Sequence, residues 1–190
     1  MAFSETNVQL FRMINNLGKN FSFLNPAAVF IAEYALFILI LSLVFFWIIP
    51  AFRNRMMVIC TLLAVLIAQL IRIPVGRLHS NLQPFAELPN VNQLIDKTVG
   101  NSFPSDHTLL VFAFCVTFAL FHKRFAVLWL LLAVLVGITR IWIGVHYPLD
   151  VAAGASISIV SAVIVFAVAP KLPAIQRLAA GNKKRQTLAE

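Results

Sequence analysis

The sequence predicts an all-α fold, a polytopic membrane helix bundle of about five transmembrane helices preceded by an amphipathic helix. Of the 190 residues, 61% are hydrophobic and only 12% are charged, and the mean hydropathy is +0.89. These values lie well outside the range of soluble domains. Short basic clusters separate the apolar runs, as topology signals do in membrane proteins. No polar domain interrupts the runs, so residues 1–190 are predicted to form a single domain.

The N-terminal segment, residues 4–19, is predicted to form the amphipathic helix. Its apolar residues Val8, Phe11, Ile14 and Leu17 recur at helical spacing, opposite polar side chains. The segment lacks the continuous apolar core and the small-residue cleavage site of a signal peptide. We therefore expect this helix to lie on the membrane surface.

Five apolar segments are predicted to cross the membrane, because a spanning helix needs about 20 apolar residues. The third, Thr108–Phe121, is short unless it begins nearer Ser105, so its outer end must extend into the neighbouring polar segment. The five segments are Ala27–Ile49, Met56–Val75, Thr108–Phe121, Phe125–Ile143 and Val151–Ala169. The tail, residues 181–190, is predicted to be disordered and cytoplasmic.

Basic residues orient the predicted bundle. The positive-inside rule places the richer side in the cytoplasm, which puts the N-terminus outside and the C-terminus inside. Residues 76–107 and 140–150 then emerge together on the outer face, where their polar side chains can form one site. The richer side holds Arg53, Arg55, Lys123, Arg124, Lys171, Arg177, Lys183, Lys184 and Arg185, and the other holds Arg12, Lys19, Arg72, Arg77, Lys97 and Arg140.

The net charge of +8 does not indicate a nucleic-acid partner, because no basic stripe with interleaved aromatic residues is present. Cys60 and Cys115 each lie inside an apolar run. We interpret them as small core residues, since neither a disulfide pattern nor a metal-binding spacing is present.

The segment from Arg140 to Asp150 has the composition of half an active site. His146 and Asp150 are four residues apart, so on a helix they share a face and can hydrogen-bond. A carboxylate beside an imidazole fixes its tautomer and raises its basicity. Arg140 supplies a forked cation that suits phosphate oxygens. The alternative is that these groups only cap helix ends and anchor the chain at the headgroups.

The segment from Ser102 to His107 is interpreted as the start of a helix, whose free N–H groups and dipole favour a bound anion. Ser105 adds a hydroxyl donor, and His107 can transfer a proton near neutral pH. Ordinary N-capping is the alternative for Ser105 and Asp106. His107 at the membrane edge is harder to explain structurally, because a titratable group there must offset its desolvation.

The pattern Pro104-Ser105-Asp106-His107, followed by Thr139-Arg140-x5-His146-x3-Asp150, resembles the second and third signature motifs of the type 2 phosphatidic acid phosphatase superfamily. Order, internal spacing and topology agree, with Thr139 standing where serine is usual. The first motif, a lysine, six residues and then Arg-Pro, is altered here. Gln83-Pro84 stands at the Arg-Pro position, Gly76 occupies the strict lysine register, and Arg77 is one residue beyond it.

Longer stretches, residues 76–85, 90–95 and 140–151, are similar to the bacitracin-resistance type of undecaprenyl-pyrophosphatase from Gram-positive bacteria. This resemblance implies an enzyme of the bacterial cell membrane that acts on an isoprenoid pyrophosphate lipid at the outer face. His146 would be the nucleophile that forms a phosphohistidine, and Asp150 would orient and balance it. His107 would protonate the leaving oxygen and then activate water.

The same resemblance implies a set of residues that hold the phosphoryl oxygens without a metal or another cofactor. Phosphoryl transfer depends mainly on positioning and charge stabilisation, and no carboxylate cluster suited to Mg²⁺ is present. The predicted phosphate-binding residues are Arg140, Ser105, Arg77 and Gln83.

Two alternatives stay open. A related lipid phosphatase acting on phosphatidic acid or phosphatidylglycerol phosphate would use the same chemistry with a different lipid groove. A non-catalytic lipid-binding or transport protein would need the arginines but not a histidine pair. Glu33 inside the first span is a candidate supporting partner of a site arginine rather than a catalyst; the alternative is that it reaches the headgroups or caps a neighbouring helix. Arg72 is expected to snorkel, and His79 is either loop surface or a phosphate contact.

Overall fold

The computed structural model describes residues 5–180, and within this range the chain is helical with no strand. The all-α prediction is confirmed. The predicted tail at residues 181–190 lies outside the described residues, as does residue 4. In order, the helices are α1 (Glu5–Asn20), α2 (Asn25–Ile48), α3 (Phe52–Leu78), α4 (Pro84–Glu87), α5 (Asp106–Phe121), α6 (Ala126–Trp142), α7 (Pro148–Val168) and α8 (Pro173–Ala180), with short 3-10 turns at Ser22–Leu24, Lys123–Phe125 and Ala169–Lys171.

Four helices are long and apolar enough to span a membrane, namely α2, α3, α6 and α7 with their adjoining turns. Each of the five predicted segments is a helix, and α3 begins four residues before the predicted start. The apolar helix α5 has 16 residues and is the shortest of the five. It begins at Asp106, directly after Ser105, as its predicted length required.

Helix α5 is the centre of the bundle, with α3, α6 and α7 packed around it. Twelve of its 16 residues are buried, including Val111, Cys115 and Phe118 with no exposed surface. A helix enclosed by other helices does not have to match the hydrocarbon thickness, which accounts for its length. Helix α2 is the opposite case, since only five of its 24 residues are buried and its outward face is apolar. Both cysteines are free and buried.

Close approach of α7 to the start of α5 depends on a small residue. A Cβ at Gly154 would lie 2.8 Å from the carbonyl oxygen of Ser105, which is far inside van der Waals contact. Small residues allow the backbones of membrane helices to approach in this way. The consequence is that the first turns of α5 and α7 lie side by side at one end of the bundle.

Helix α1 packs against α6 and α7 at that same end. Phe11 of its apolar face is buried against Ile141 and Tyr147, whereas Leu17 is 40% exposed. The buried face also contains Asn7 and Asn15, which the pattern assigned no role. Asn15 Nδ2 donates to the carbonyl oxygen of Trp142 at 2.8 Å. Helix α1 therefore holds the loops of this end by polar contacts, and its contact with a membrane surface stays a prediction.

Candidate active site

The two polar segments meet at the end of the bundle where α5 and α7 begin. The backbone N–H of Ser105 donates to the carbonyl oxygen of Asp150 at 3.0 Å. Gly154 makes this contact possible, because it lets α7 approach the start of α5. As a consequence, the backbone N–H of Ser105 is already hydrogen-bonded and is not free to bind an anion.

His146 lies between α6 and α7 and is 2% exposed. Its Nδ1 lies 3.1 Å from the carbonyl oxygen of Ser102 and 3.0 Å from the Oγ of the same residue. A carbonyl oxygen only accepts hydrogen bonds, so Nδ1 carries the ring proton. The Nε2 atom lies 3.1 Å from the Nζ atom of Lys97, and an ammonium only donates. Both neighbours therefore assign the same tautomer, with the free lone pair on Nε2.

Asp150 is fully buried in the first turn of α7, while His146 precedes the helix. The sequence predicted a shared helix face for these two residues if the chain is helical there. They do not share one, because α7 begins only at Pro148, after His146. Asp150 instead caps the helix, its Oδ2 accepting from the backbone N–H of Tyr147 at 2.8 Å. The same oxygen lies 3.5 Å from His146 Nδ1 and accepts from the Ser102 hydroxyl at 2.5 Å.

Among the residues that the structure describes, Arg140 is a buried cation with no carboxylate in hydrogen-bond contact. It is 2% exposed, and its Nη1 donates to the carbonyl oxygen of Ala32 at 3.3 Å. Its Nε atom is buried and has no hydrogen-bond partner within residues 5–180. A buried charge left in this state is unfavourable unless an anion compensates it. Arg140 is therefore placed to bind an anion.

A cavity of about 520 Å³ opens beside Arg140. Its polar wall combines three basic side chains, Lys97, His107 and Arg140, with two acidic ones. Its apolar wall is formed partly by α2, whose Tyr34 is 50% exposed. The lining residues are Glu33, Tyr34, Phe37, Ile95, Asp96, Lys97, His107 and Arg140. The cavity thus joins a cationic site to the outward face of α2.

Burial determines the protonation states of His146 and Lys97 at neutral pH. Burial lowers the pKa of His146 to about 4, with the hydrogen bond that the ring donates to Asp150 acting in the opposite direction. The imidazole is consequently neutral at neutral pH. Burial and the charge of Arg140 lower the pKa of Lys97 to about 8, so its ammonium still predominates at pH 7.

Ser105 is fully buried at the start of α5. Its Oγ accepts a hydrogen bond from the Thr108 hydroxyl at 3.0 Å. The proton of Ser105 itself is not used in that bond and remains a donor that the site can offer. The structure brings five of the predicted site residues to this end of the bundle. Ser105 and His146 each contact Asp150, and His107 and Arg140 line the cavity with Lys97, which contacts His146.

Arg77 and Gln83 are not brought into this site. Gly76 faces the Phe103–Pro104 segment, since a Cβ there would lie 3.1 Å from the carbonyl oxygen of Phe103. Arg77 is one residue further, so it is rotated by about 100° around α3 and is exposed. Gln83 is buried, and its Oε1 accepts from the backbone N–H of Gly100 at 2.9 Å. It fastens a loop, and neither residue lines the cavity.

Sequence reasoning missed two site residues, Lys97 and Ser102. The sequence patterns indicate only a topology charge at Lys97 and only part of a helix start at Ser102. The one available signal for Lys97 was the charge missing from the first motif. Arg72 has a partner that the sequence did not indicate, because its Nη2 donates to Asp106 Oδ2 at 2.7 Å; its snorkelling stays a prediction.

His79 and Glu33 had no firm assignment. The ring of His79 packs edge-on against Phe103, with centroids 4.8 Å apart. Glu33 is exposed on α2 and lines the cavity beside Arg140. Within residues 5–180 no three His, Cys, Asp or Glu side chains are grouped to hold a metal ion, and metal independence stays a prediction.

Comparison with known proteins gives a consistent set of relatives. The sequence model of the PAP2 superfamily matches residues 58–173. The bacitracin transport permease protein BcrC of Bacillus licheniformis is 53% identical over 94% of this chain and 88% of its own length. The undecaprenyl-diphosphatase BcrC of Bacillus subtilis is 28% identical over 84% of this chain and 82% of its own. The crystal structure of Aquifex aeolicus LpxE superposes with a TM-score of 0.75 at 28% identity, covering 88% of this chain and 99% of that one.

Proposed function

Because the chain belongs to the PAP2 superfamily, and within it to the bacitracin-resistance type, we propose that this membrane phosphatase is an undecaprenyl-diphosphate phosphatase. It removes the terminal phosphate of the lipid carrier at the outer membrane face through a phosphohistidine intermediate. The main support is the environment of His146, whose unprotonated Nε2 lies 3.1 Å from the Nζ atom of Lys97, a side chain that lines the cavity together with His107 and Arg140. A buried neutral imidazole among cations is arranged for attack on an anionic phosphorus.

In the first step, Nε2 of His146 attacks the terminal phosphorus. The bond between that phosphorus and the bridging oxygen breaks, and the leaving lipid monophosphate takes a proton from His107. The new phosphohistidine carries positive charge on its ring, which the carboxylate of Asp150 balances through Nδ1–H and through the Ser102 hydroxyl. Arg140 and the Ser105 hydroxyl hold the phosphoryl oxygens, where charge develops.

In the second step, His107 removes a proton from water, and the resulting oxygen nucleophile attacks the phosphorus. The Nε2–phosphorus bond breaks, which releases inorganic phosphate and restores the neutral imidazole. His107 is then protonated again and ready for the next leaving group. No redox change occurs, and every proton is carried by water or by His107.

The proposed substrate follows from the relatives and from the cavity. The Bacillus subtilis relative is named an undecaprenyl-diphosphatase, and the chain covers most of its length. The cavity opens along α2, where Tyr34 and Phe37 are 50% and 63% exposed. A substrate whose headgroup enters the cavity can leave its apolar tail against this face. The placement of basic residues supports the outer-face orientation.

A second candidate is a lipid-binding or transport role without turnover; the Bacillus licheniformis relative is named a bacitracin transport permease protein, which favours the transport role. A binding protein needs Arg140 but has no use for an aligned nucleophile. Turnover separates the two functions directly.

The test is phosphate release by purified protein in detergent, on undecaprenyl diphosphate, phosphatidic acid and phosphatidylglycerol phosphate in parallel. We expect undecaprenyl diphosphate to give the highest kcat/KM and His146→Ala to abolish release. His122→Ala is the matched control, because His122 stacks on Phe46 at the opposite end of the bundle. Equal turnover by His146→Ala would reject the nucleophile. Binding of the lipid without any release would favour the second candidate.

The intermediate itself is tested with substrate labelled in the terminal phosphate. His107→Ala should slow hydrolysis of the intermediate more than its formation, because a lipid monophosphate leaves readily without a proton whereas water needs a base. Labelled protein should then accumulate with the acid lability of a phosphohistidine. An additional His146→Ala substitution should remove the label. Label retained in the double variant would reject a phosphohistidine at position 146.

A further inference from the structure

The loop before α5 carries a lysine that no signature motif contains. The Nζ atom of Lys97 lies 3.1 Å from Nε2 of His146, the atom proposed to attack phosphorus. The same side chain lines the cavity with Arg140 and His107. Among the residues that the structure describes, Lys97 therefore supplies a cation in hydrogen-bond contact with the nucleophilic atom.

Backbone contacts hold Lys97 in this place. The N–H of Leu94 donates to the carbonyl oxygen of Ile143 at 3.2 Å, so the loop runs alongside the segment that ends in His146. Gly144 has φ +84°, and a Cβ there would lie 2.7 Å from the carbonyl oxygen of Asn92. Asn15 of α1 accepts from the N–H of Asn92 at 2.9 Å. Three separate contacts thus fix the loop at Asn92 and Leu94, which are five and three residues before Lys97.

The site also needs a cation that the first motif does not supply. The resemblance to the family predicts two positive charges there, yet Gly76 and Gln83 are uncharged and Arg77 is exposed outside the cavity. Without Lys97, Arg140 would be the permanent charge facing the phosphoryl group. In phosphoryl transfer the negative charge is spread over three equatorial oxygens, and catalysis is almost entirely positioning and electrostatic stabilisation, so a second cation would add to what Arg140 supplies.

We infer that Lys97 binds the terminal phosphoryl group and replaces the cation missing from the altered first motif. In the free protein its ammonium donates to the lone pair of His146 Nε2. When the phosphoryl group enters, the ammonium transfers this hydrogen bond to a phosphoryl oxygen, which frees the lone pair for attack. The flexible four-carbon stem of lysine permits this short movement.

Lys97 forms no covalent bond in this scheme and changes no oxidation state. Its partial burial makes the charge effective, since electrostatic contacts are stronger where water is excluded. The lowered pKa of about 8, caused by burial and by Arg140, agrees with a site built to receive an anion. The inference rests on the proposed phosphatase function, because it assigns a residue to that site.

The test compares Lys97→Met, Lys97→Arg and a control, Lys19→Met, in the purified full-length protein. Lys19 is matched because it contacts the same loop at the carbonyl oxygen of Asn90 and does not line the cavity. We expect Lys97→Met to lower kcat/KM by about 10²-fold, the usual effect of removing one charge-stabilising donor. Lys97→Arg should retain much of the activity, and Lys19→Met nearly all of it.

Inhibition by orthovanadate provides a second readout that loop damage alone would not produce. Vanadate adopts the geometry of the transferring phosphoryl group, so Lys97→Met should weaken its inhibition by a similar factor while Lys97→Arg does not. Unchanged kcat/KM and unchanged vanadate inhibition in Lys97→Met would overturn the inference. Equal losses in the methionine and arginine variants, with a lowered melting temperature, would also overturn it in favour of a packing role.

Failure of the proposed function is recognised separately. If the wild-type protein prefers another of the three lipids, the ratio of variant to wild type on that lipid decides the role of Lys97. If no lipid is hydrolysed, calorimetric binding of orthovanadate to wild type and Lys97→Met decides it. Equal binding by the two proteins, or none by either, then overturns the inference.

Discussion

The carboxylate of Asp150 and the imidazole of His146 are joined by a third side chain. Their atoms lie 3.5 Å apart, whereas the Ser102 hydroxyl oxygen lies 2.5 Å from Asp150 Oδ2 and 3.0 Å from His146 Nδ1. The hydroxyl donates to the carboxylate and accepts from the ring N–H. The pair therefore acts through Ser102 at least as much as by direct contact, and Ser102 is a positioning residue.

Ser102→Ala should lower kcat by about 10- to 150-fold with little change in KM. A hydrogen bond to a charged group contributes about 1.5–3 kcal/mol, and here it acts only on the orientation and charge of the nucleophile. Phosphate release at saturating substrate measures this. Ser80→Ala, which changes an exposed serine of the preceding loop, should be without effect. A raised KM with normal kcat would show that Ser102 serves substrate binding instead.

Asp150→Asn and Asp150→Ala should separate the two roles of this carboxylate. Both remove the charge that balances the imidazolium-like intermediate, so both should lower kcat by about 10²-fold or more, up to the roughly 10⁴-fold loss seen when a triad carboxylate is neutralised. Only alanine also removes the cap of α7, which contributes about 0.5–2 kcal/mol. Thermal melting of the two variants tests the second role. Full activity in Asp150→Asn would exclude a need for the negative charge.

The dependence of kcat/KM on pH should be bell-shaped. Burial lowers the pKa of His146 to about 4, so falling pH protonates Nε2 and removes the nucleophile only near that value. Burial and the charge of Arg140 lower the pKa of Lys97 to about 8, and rising pH removes its charge there. The titratable or charged groups that face these two residues are Glu33, Asp96, Asp106, His107, Arg140 and Asp150.

Lys97→Arg identifies the alkaline limb of that profile. Arginine keeps its charge to much higher pH, so the limb near pH 8 should move upward in this variant. If the alkaline limb does not move in this variant, the limb belongs to another group, such as His107. The profile of kcat/KM is the relevant one because it reports the free enzyme.

Sequence patterns predicted the helices and the two motif halves well, because both depend on local order. Apolar runs and basic clusters are contiguous, and the spacing of His146 and Asp150 is written in the chain. Lys97 and Ser102 could not be predicted, since their roles depend on a loop that contacts residues 143–146 from more than 40 positions away. The failure at Arg77 has a simple cause: one residue of shift on a helix turns a side chain by about 100°.

Removal of divalent metal ions should leave activity intact. The proposed site holds the phosphoryl group with Arg140, Lys97 and the Ser105 hydroxyl, which are cationic or neutral donors. Phosphate release after dialysis against EDTA, compared with release after adding back Mg²⁺, measures this. A loss of activity that Mg²⁺ restores would reject the metal-free scheme.

Gly144→Ala should damage the site through the loop that carries Lys97. The residue has φ +84°, where a non-glycine residue costs about 1–2 kcal/mol, and its new Cβ would meet the carbonyl oxygen of Asn92 at 2.7 Å. Relief of that clash moves the loop away from residues 143–146 and withdraws Lys97 from His146. We therefore expect kcat/KM to fall by about as much as in Lys97→Met. A double-mutant cycle tests the shared cause: in Gly144→Ala/Lys97→Met the losses should not add, because both remove one contact. Fully additive losses would mean that Gly144 acts on the site by another route.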